Sequence, residues 1–171
     1  MTIIKKPTRE VKRSNGLHLP EYFLLEKECL ELIEKNYKCK CKKKRSHFPK
    51  IVKSNLHKHE FELSDQGTSI DILITKNRKI DVPDIDEQLD CILDNLNRNK
   101  IRHLDLHDSG KNLCVDKYGT ISLIDFDVAS IGSNYLSTSL QIRASRYGSY
   151  ATYLVQAKSK MLEMVKKIMT E

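Results

Sequence analysis

The sequence predicts an α+β fold. Its 171 residues are enough for one domain with a core, or for two small lobes that share a cleft, but hardly for two independent domains. Strand-like segments are concentrated in the first third of the chain, and two helical apolar stripes lie in the remainder. Glycine and proline are sparse, at 6 and 4 residues, which argues against a disordered or low-complexity chain.

The N-terminal third is predicted to place two short strands before a long helix. Residues 2–6, TIIKK, form the first strand, and Pro7-Thr8 turns the chain into a second strand over 9–13. Pro20 suits a first helical position, and apolar residues recur at helical spacing to about residue 36. These residues are Tyr22, Leu25, Cys29, Leu30 and Ile33.

Two further strands are predicted at 48–54, FPKIVKS, and 57–63, HKHEFEL. The polar segment 64–67, SDQG, follows as a turn between the lobes.

The second half is predicted to begin with a helix that Asp84 caps, with Glu87 completing a capping box. Its apolar stripe is Ile85, Leu89, Ile92, Leu93 and Leu96. A short apolar strand, ISLI, follows at 121–124, and the Ser/Gly-rich residues 130–147 are predicted to be a loop. The last helix carries Tyr150, Tyr153, Leu154, Ala157, Met161, Val165 and Ile168 on one face.

Polar side chains crowd around this short strand. Residues 102–116 contain three Asp, two His and an Asn, and Asp125-Phe126-Asp127 comes directly after ISLI. Carboxylates beside a buried strand are costly unless a cation lies between them. A complex of a metal ion with phosphate would supply that cation.

The order of these elements and motifs resembles the protein-kinase-like superfamily. That family carries H-R-D-L-x-x-x-N or H-x-D in its catalytic loop and D-F-G at its metal site. The matching residues here are His103-Leu104-Asp105-Leu106-His107, then Asn112, then Asp125-Phe126-Asp127. The resemblance implies a two-lobed fold, with an N-lobe over 1–64 and a C-lobe over 65–171.

The resemblance also implies roles for these residues. Asp105 would be the catalytic base, with His103 supporting the catalytic loop, and Asn112 and Asp125 would be the Mg²⁺ ligands. Asp108 is an alternative second ligand. The metal would hold the phosphates of ATP so that their developing charge is neutralised.

Upstream, the family pairs a strand lysine with a helix glutamate to hold the nucleotide phosphates. Lys5 and Glu26 fit these positions, with Lys12 as a rival to Lys5, and Ile3 could pack on the adenine. Hinge residues that would bind the adenine through the backbone are Glu62, Leu63 and Ser64.

Several features depart from the family pattern. Asn112 lies seven residues after Asp105 rather than five, so the loop between them must bulge. Asp127 replaces the glycine of D-F-G, no A-P-E follows, and no G-x-G-x-x-G precedes TIIK. The expected fold is therefore a kinase-like one with a truncated N-lobe and a reduced helical C-lobe. Asp-Phe-Asp and D-L-H are also similar to phosphotransferases that act on aminoglycosides or lipopolysaccharide sugars.

The implied function is an ATP- and Mg²⁺-dependent kinase. Its acceptor would be a hydroxyl of a protein Ser/Thr or of a sugar or small molecule, bound by Arg143, Arg146 and the segment 147–153. The alternative is a pseudokinase that serves as a binding or scaffold module, which the departures in the nucleotide-binding motifs motivate.

Charge and cysteines complete the sequence-based expectations. The net charge is +7, and an anionic partner, such as nucleic acid or an anionic membrane, could bind Lys40, Lys42, Lys43, Lys44 and Arg45. Five cysteines without a signal peptide suggest reduced thiols and a cytoplasmic location. Cys39-x-Cys41 near His47 lacks a second cysteine pair, so no zinc site is expected there. No apolar stretch is long enough to span a membrane.

Overall fold

The computed structural model describes residues 2–5, 19–106, 108–135 and 137–170, without the side chains of residues 5, 19 and 20. The predicted strand at 9–13 and the rival Lys12 lie outside these residues, as does His107.

The N-terminal strands form one antiparallel sheet of order β1-β3-β2. Its strands are β1 (Thr2–Lys5), β2 (Ile51–Asn55) and β3 (Glu60–Ser64). Ile3 pairs with Leu63 on one side of β3, and Ile51 pairs with Leu63 on the other. These three predicted strands are confirmed, and β3 is the central one.

Helix α1 (Leu19–Asn36) confirms the predicted first helix, including its start beside Pro20. The apolar stripe faces inward, with Cys29, Leu30 and Ile33 almost completely buried. Phe23 stacks on Phe61 of β3 with ring centroids 4.0 Å apart. This contact joins the helix to the sheet and adds to the free energy that burial alone provides.

The chain after β3 enters a second antiparallel sheet of order β4-β6-β7. Its strands are β4 (Thr68–Ser69), β6 (Leu113–Val115) and β7 (Ile121–Leu123), and helix α2 (Ile70–Thr75) follows β4 directly. Gly67 precedes β4 with φ +96°, and a Cβ there would lie 2.4 Å from the Val115 carbonyl oxygen. Glycine is needed at this close crossing of two backbones.

Helix α3 (Ile85–Arg98) buries Leu89, Ile92, Leu93 and Leu96, as predicted. The predicted capping box is wrong. Asp84 has a left-handed backbone, with φ 55°, and its side chain makes no capping hydrogen bond. An N-cap side chain reaches the first helical N–H groups from an extended backbone, and this conformation removes that geometry.

The predicted loop over 130–147 is also wrong in part. It contains the end of β8 (Ala129–Ile131), which pairs with β5 (Ile101–His103), and helix α4 (Thr138–Ser145). The Ser137 side chain accepts a hydrogen bond from the Leu140 N–H at the start of α4. The serines that suggested a loop therefore include a helix cap.

Helix α5 (Tyr150–Lys166) confirms the predicted last helix. Its buried face, with Tyr153, Ala157, Met161 and Val165, packs on the core with Ile168 just beyond it. The Tyr150 hydroxyl oxygen lies 2.8 Å from the carbonyl oxygens of both Leu96 and Ile101, and its one proton is shared between these two acceptors. The last helix thus supports the end of α3 and the start of β5.

The architecture is mixed α+β, as predicted. Its main core runs from α1 and β3 through α3 and the hairpin formed by β6 and β7 to α5. The predicted lobe boundary after residue 64 falls at the end of β3. All five cysteines are free. Within the described ranges, no helix combines the length and the apolar character needed to cross a membrane.

Gln88 connects α3 to the β6–β7 hairpin and is fully buried. Its amide nitrogen donates to the carbonyls of Pro83 (2.7 Å) and Gly119 (2.9 Å), and its amide oxygen accepts from the Ile121 N–H at 2.8 Å.

We expect Gln88→Ala to lower the free energy of unfolding by about 2–4 kcal/mol, because buried polar groups lose their partners. Urea unfolding measures this change. The control is Glu87→Ala, which alters an exposed neighbour and should change stability little. If both variants lost the same unfolding free energy, the hydrogen bonds of Gln88 would not be the cause.

Candidate functional site

The β6–β7 hairpin brings Asn112 and Asp125 to the same end of the second sheet. Leu113 pairs with Leu123, and the Ile124 N–H donates to the Asn112 carbonyl at 3.0 Å. Asp125 is the next residue. The interval of thirteen residues between Asn112 and Asp125 therefore corresponds to one tight hairpin.

Asp105 is joined to the end of this hairpin by a side-chain contact. The Asn112 amide nitrogen donates to the Asp105 backbone carbonyl at 2.7 Å and to its carboxylate Oδ2 at 3.1 Å. These contacts fix the orientation of the Asn112 amide, with its nitrogen toward Asp105 and its oxygen left for another partner. Asp105, Asn112 and Asp125 thus meet at one place in the fold.

The predicted bulge between Asp105 and Asn112 packs on helix α2. Gly110 has φ +76°, and a Cβ there would lie 2.8 Å from the Ile70 side chain. The Leu113 N–H donates to the Gly110 carbonyl at 3.2 Å. The two extra residues are accommodated by this glycine contact, while Asn112 remains beside Asp105.

A cavity of about 450 Å³ lies between the first sheet and this hairpin end. Five of the predicted site residues line it, together with Ile3: they are Glu26, Leu63, Ser64, Asn112 and Asp125. Glu62 is not among the lining residues, and its carboxylate accepts a hydrogen bond from the Thr2 hydroxyl at 2.6 Å. Its backbone role at the hinge remains a prediction. The Lys5 side chain is outside the described atoms, and its backbone pairs with Phe61.

Sequence reasoning missed several residues of this cavity. Lys111 brings a positive charge to the lining, and Gln66, Gly67 and Cys114 also contribute. Lys111 could have been found, since it precedes Asn112 directly. Burial, with lesser effects from Asp65 and Asp71, raises the pKa of the Cys114 thiol to about 12, so this cysteine remains protonated at neutral pH.

Glu26 is a buried carboxylate with 2% exposure, although a helix glutamate is usually exposed. Its Oε1 accepts from the Phe126 N–H at 3.3 Å. Helix α1 is thereby connected to the turn that carries Asp125. An acidic side chain buried at this depth on the wall of a cavity is a candidate functional group.

Asp125 adopts a left-handed backbone conformation, with φ 68° and ψ 67°. Aspartate enters this region more readily than most residues, but it still costs free energy. The turn continues as a short 3₁₀ helix, Phe126–Val128, whose Phe126 is buried. The strained conformation lies where Asp125 lines the cavity.

His103 is fully buried in the core, beside the chain segments that carry Asp105 and Asp125. Its Nε2 lies 2.8 Å from the Ile124 carbonyl, and its Nδ1 accepts from the Asp105 N–H at 3.4 Å. These partners assign a neutral ring with the proton on Nε2. His103 thus joins the two chain segments that carry Asp105 and Asp125.

Asp105 lines a second cavity, also of about 450 Å³. Arg143, Arg146 and Tyr147, which were predicted near the acceptor, line it too. The Arg143 guanidinium lies 3.4 Å from Asp105 Oδ1. Asp108 also lines this cavity and pairs with Lys160 at 3.5 Å. Its role as an alternative metal ligand remains a prediction.

The residues of the basic segment at 40–45 are not among those that line the two cavities. Lys40, Lys42, Lys44 and Arg45 are exposed, and Lys43 is half-buried. Arg45 pairs with Asp116 at 3.6 Å. Binding of an anionic partner by this segment remains a prediction.

The sequence matches no model of a known protein family, and a search of curated proteins found no significant match.

The buried His103 ring gives stability a pH dependence. Burial lowers the pKa of the imidazole, and the Ile124 carbonyl and the carboxylates of Asp125, Asp105 and Asp127 oppose this only in part. Because the folded-state pKa lies below the unfolded value of about 6.5, the contribution of His103 is complete above about pH 6.5 and is lost as the pH falls below it.

Between about pH 7 and about pH 5, the unfolding free energy of the wild-type protein should fall as the pH falls. We expect this slope to be smaller in His103→Gln, by up to about 1.4 kcal/mol per pH unit. Denaturant unfolding across this range measures the slope. His57→Gln, at an exposed position, should keep the wild-type slope. An unchanged slope in His103→Gln would show that the ring is already protonated in the folded state.

Proposed function

We propose that this chain is a kinase-like phosphotransferase that uses ATP and Mg²⁺ to phosphorylate a hydroxyl group. The proposal includes a two-lobed fold, with an N-lobe over 1–64 and a C-lobe over 65–171. One observation carries it: Asp105, Asn112 and Asp125, which lie 7 and 13 residues apart in sequence, are brought together at one hairpin end between two cavities.

The nucleotide would bind in the cavity between the first sheet and the hairpin. Its volume of about 450 Å³ lies in the range of small-molecule sites. Ile3 and Leu63 provide apolar surface for a base, and Ser64 and Gln66 lie beside them where β3 ends. Lys111 and Asp125 both line the cavity, and the positive charge of Lys111 would favour phosphate binding.

Asn112 and Asp125 would hold the metal ion. An amide oxygen and a carboxylate are hard oxygen donors of the kind that Mg²⁺ prefers. The Asn112 amide oxygen is available because the nitrogen is used on Asp105. When bound, Mg²⁺ would neutralise charge on the transferred phosphate.

Asp105 would orient the acceptor hydroxyl and accept its proton. The acceptor oxygen forms a new bond to the γ-phosphorus, the bond from that phosphorus to the β-phosphate oxygen breaks, and ADP leaves. Asp105 suits this role because its carboxylate lies in the second cavity while Asn112 connects it to the first. Arg143 and Asn112 hold its two oxygens in a fixed orientation.

A second function, nucleotide binding without transfer, is favoured by the same contacts. Both Asp105 oxygens already have partners, Arg143 at 3.4 Å and Asn112 at 3.1 Å. A base must be able to reach the acceptor hydroxyl. If the Arg143 contact persists with acceptor bound, the protein would act as a pseudokinase.

Substitutions at Asp125 and Asp105 should separate binding from catalysis. We expect Asp125→Asn to remove the Mg²⁺-dependent rise in melting temperature that ATP produces, because a metal ligand loses its charge. Asp105→Asn should keep that rise and lower phosphate transfer by about 10²–10⁴-fold. Thermal shift and transfer from labelled ATP are the two measurements.

Asp94→Asn is the matched control, because it neutralises an exposed carboxylate on α3. It should preserve both properties. Wild-type protein that ATP and Mg²⁺ do not stabilise would reject the nucleotide site. Stabilisation without transfer or hydrolysis would support the pseudokinase function instead.

The second cavity suggests an acceptor with an anionic group. Arg143 pairs with Asp105 and Lys160 pairs with Asp108. Arg146 lines the same cavity and makes no ion pair with any other described residue. A carboxylate or phosphate on the acceptor could therefore bind Arg146 with charge-assisted hydrogen bonds.

We expect Arg146→Ala to raise KM for anionic acceptors by about tenfold or more while leaving KM for ATP unchanged. ADP release with matched sugar and peptide acceptors, with and without an anionic group, measures the effect. Lys166→Ala removes an exposed positive charge elsewhere and should have no effect. Equal use of neutral and anionic acceptors by the wild-type protein would contradict this assignment.

A further inference from the structure

Four side chains capable of binding a metal meet at a place that lines neither cavity described above. They are Cys39, Cys41, His47 and Cys91, and their ligand atoms all lie within 4.8 Å of one another. The Cys39 sulfur is 2.9 Å from the Cys41 sulfur and 3.2 Å from the Cys91 sulfur. The Cys41 sulfur is 3.0 Å from His47 Nε2.

Two separate parts of the chain supply this cluster. Three of its residues lie in the irregular segment 37–50 between α1 and β2, and Cys91 lies on helix α3. Asn95, one turn further along α3, accepts from the Lys38 N–H at 3.0 Å and donates to the Lys38 carbonyl at 2.7 Å. These bonds hold the start of the segment against the helix that carries Cys91.

The sequence-based expectation of no zinc site assumed that Cys39 and Cys41 lacked a further cysteine ligand. The fold provides that ligand in Cys91, fifty residues after Cys41 in the sequence. Short-range spacing could not reveal it, since only the packing of the segment on α3 brings Cys91 close.

We propose that Cys39, Cys41, His47 and Cys91 form a structural zinc site. Three cysteines and one histidine are a common structural ligand set. With Zn–S and Zn–N bonds near 2.3 and 2.1 Å, tetrahedral ligands lie about 3.5–3.8 Å apart. Three of the six separations are 2.9–3.2 Å and all six are within 4.8 Å, so a tetrahedral arrangement requires movements of about 1 Å or less.

Hydrogen bonds around the four residues orient them as zinc ligands require. His47 Nδ1 lies 2.6 Å from the Ile121 carbonyl, which places the ring proton on Nδ1 and leaves Nε2 to face the sulfurs. The N–H groups of Lys40 and Cys41 donate to the Cys91 sulfur at 3.3 and 3.2 Å. Such donors stabilise negative charge on a sulfur atom.

The ligand chemistry selects the metal class. Thiolates favour zinc over magnesium or calcium, and four protein ligands leave no open position for a catalytic water. Cys41, His47 and Cys91 are buried, with exposures of 8%, 0% and 5%. On binding, Zn²⁺ forms bonds to three thiolates and one neutral imidazole, and the three thiol protons pass to solvent.

The metal content of the full chain tests the proposal. We expect protein purified under reducing conditions and incubated with Zn²⁺ to retain about one zinc per chain after buffer exchange, as one tetrahedral site requires. A strong chelator should lower its melting temperature, because the metal binds the folded state selectively. Replacement by Co²⁺ should produce the visible absorption of tetrahedral thiolate coordination.

Cys91→Ala should lose the zinc and the chelator effect. Cys29→Ala is the matched control, since it also removes a buried thiol from a helix, and it should retain both. If Cys91→Ala does not fold, zinc titration and cobalt spectra of the wild-type chain still decide. Wild-type protein without stoichiometric zinc, zinc retained by folded Cys91→Ala, or a disulfide among these cysteines in reduced protein would each overturn the proposal.

Discussion

The candidate site depends on the register of the β6–β7 hairpin. Pairing of Leu113 with Leu123 places Asn112 opposite Ile124 and brings Asp125 next to it. A slip of one residue would turn the side chains of one strand to the opposite face and expose its buried apolar residues. The register is supported from the turn, where Asp116 Oδ1 accepts from the N–H groups of Tyr118 and Thr120. The turn at one end of the hairpin thus helps to set the geometry at the other.

Acidic side chains gather at this hairpin end, and two of them, Glu26 and Asp105, accept hydrogen bonds from neighbouring groups. Phe126 donates to Glu26, and Asn112 and Arg143 donate to Asp105. Hydrogen bonds reduce the desolvation cost of a carboxylate but do not neutralise its charge. Lys111 is exposed at the cavity wall and can offset only part of the negative charge. Such an arrangement favours a bound divalent cation, which is the physical basis of the proposed nucleotide chemistry.

The sequence predicted the parts of the fold that local patterns determine. The periodic stripes of α1, α3 and α5 were found, and the interval between Asn112 and Asp125 was informative because a hairpin is a local structure. Features that depend on backbone conformation or on distant packing were missed. Asp84 has the right side chain for a cap but the wrong φ, and α4 follows a serine cap within a segment that looked like a loop.

The cysteine cluster and the candidate active site share one strand. His47 contacts β7 twice, through Nδ1 to the Ile121 carbonyl at 2.6 Å and through its own carbonyl to the Leu123 N–H at 2.9 Å. Asp125 follows two residues after Leu123. His47 lies in a segment that has no regular secondary structure of its own. A metal that binds both His47 and Cys91 of α3 would fix this segment in place and would therefore restrain β7 on the side opposite β6. Because small displacements at a catalytic group are costly, restraint of β7 would help to keep Asp125 in place beside Asn112.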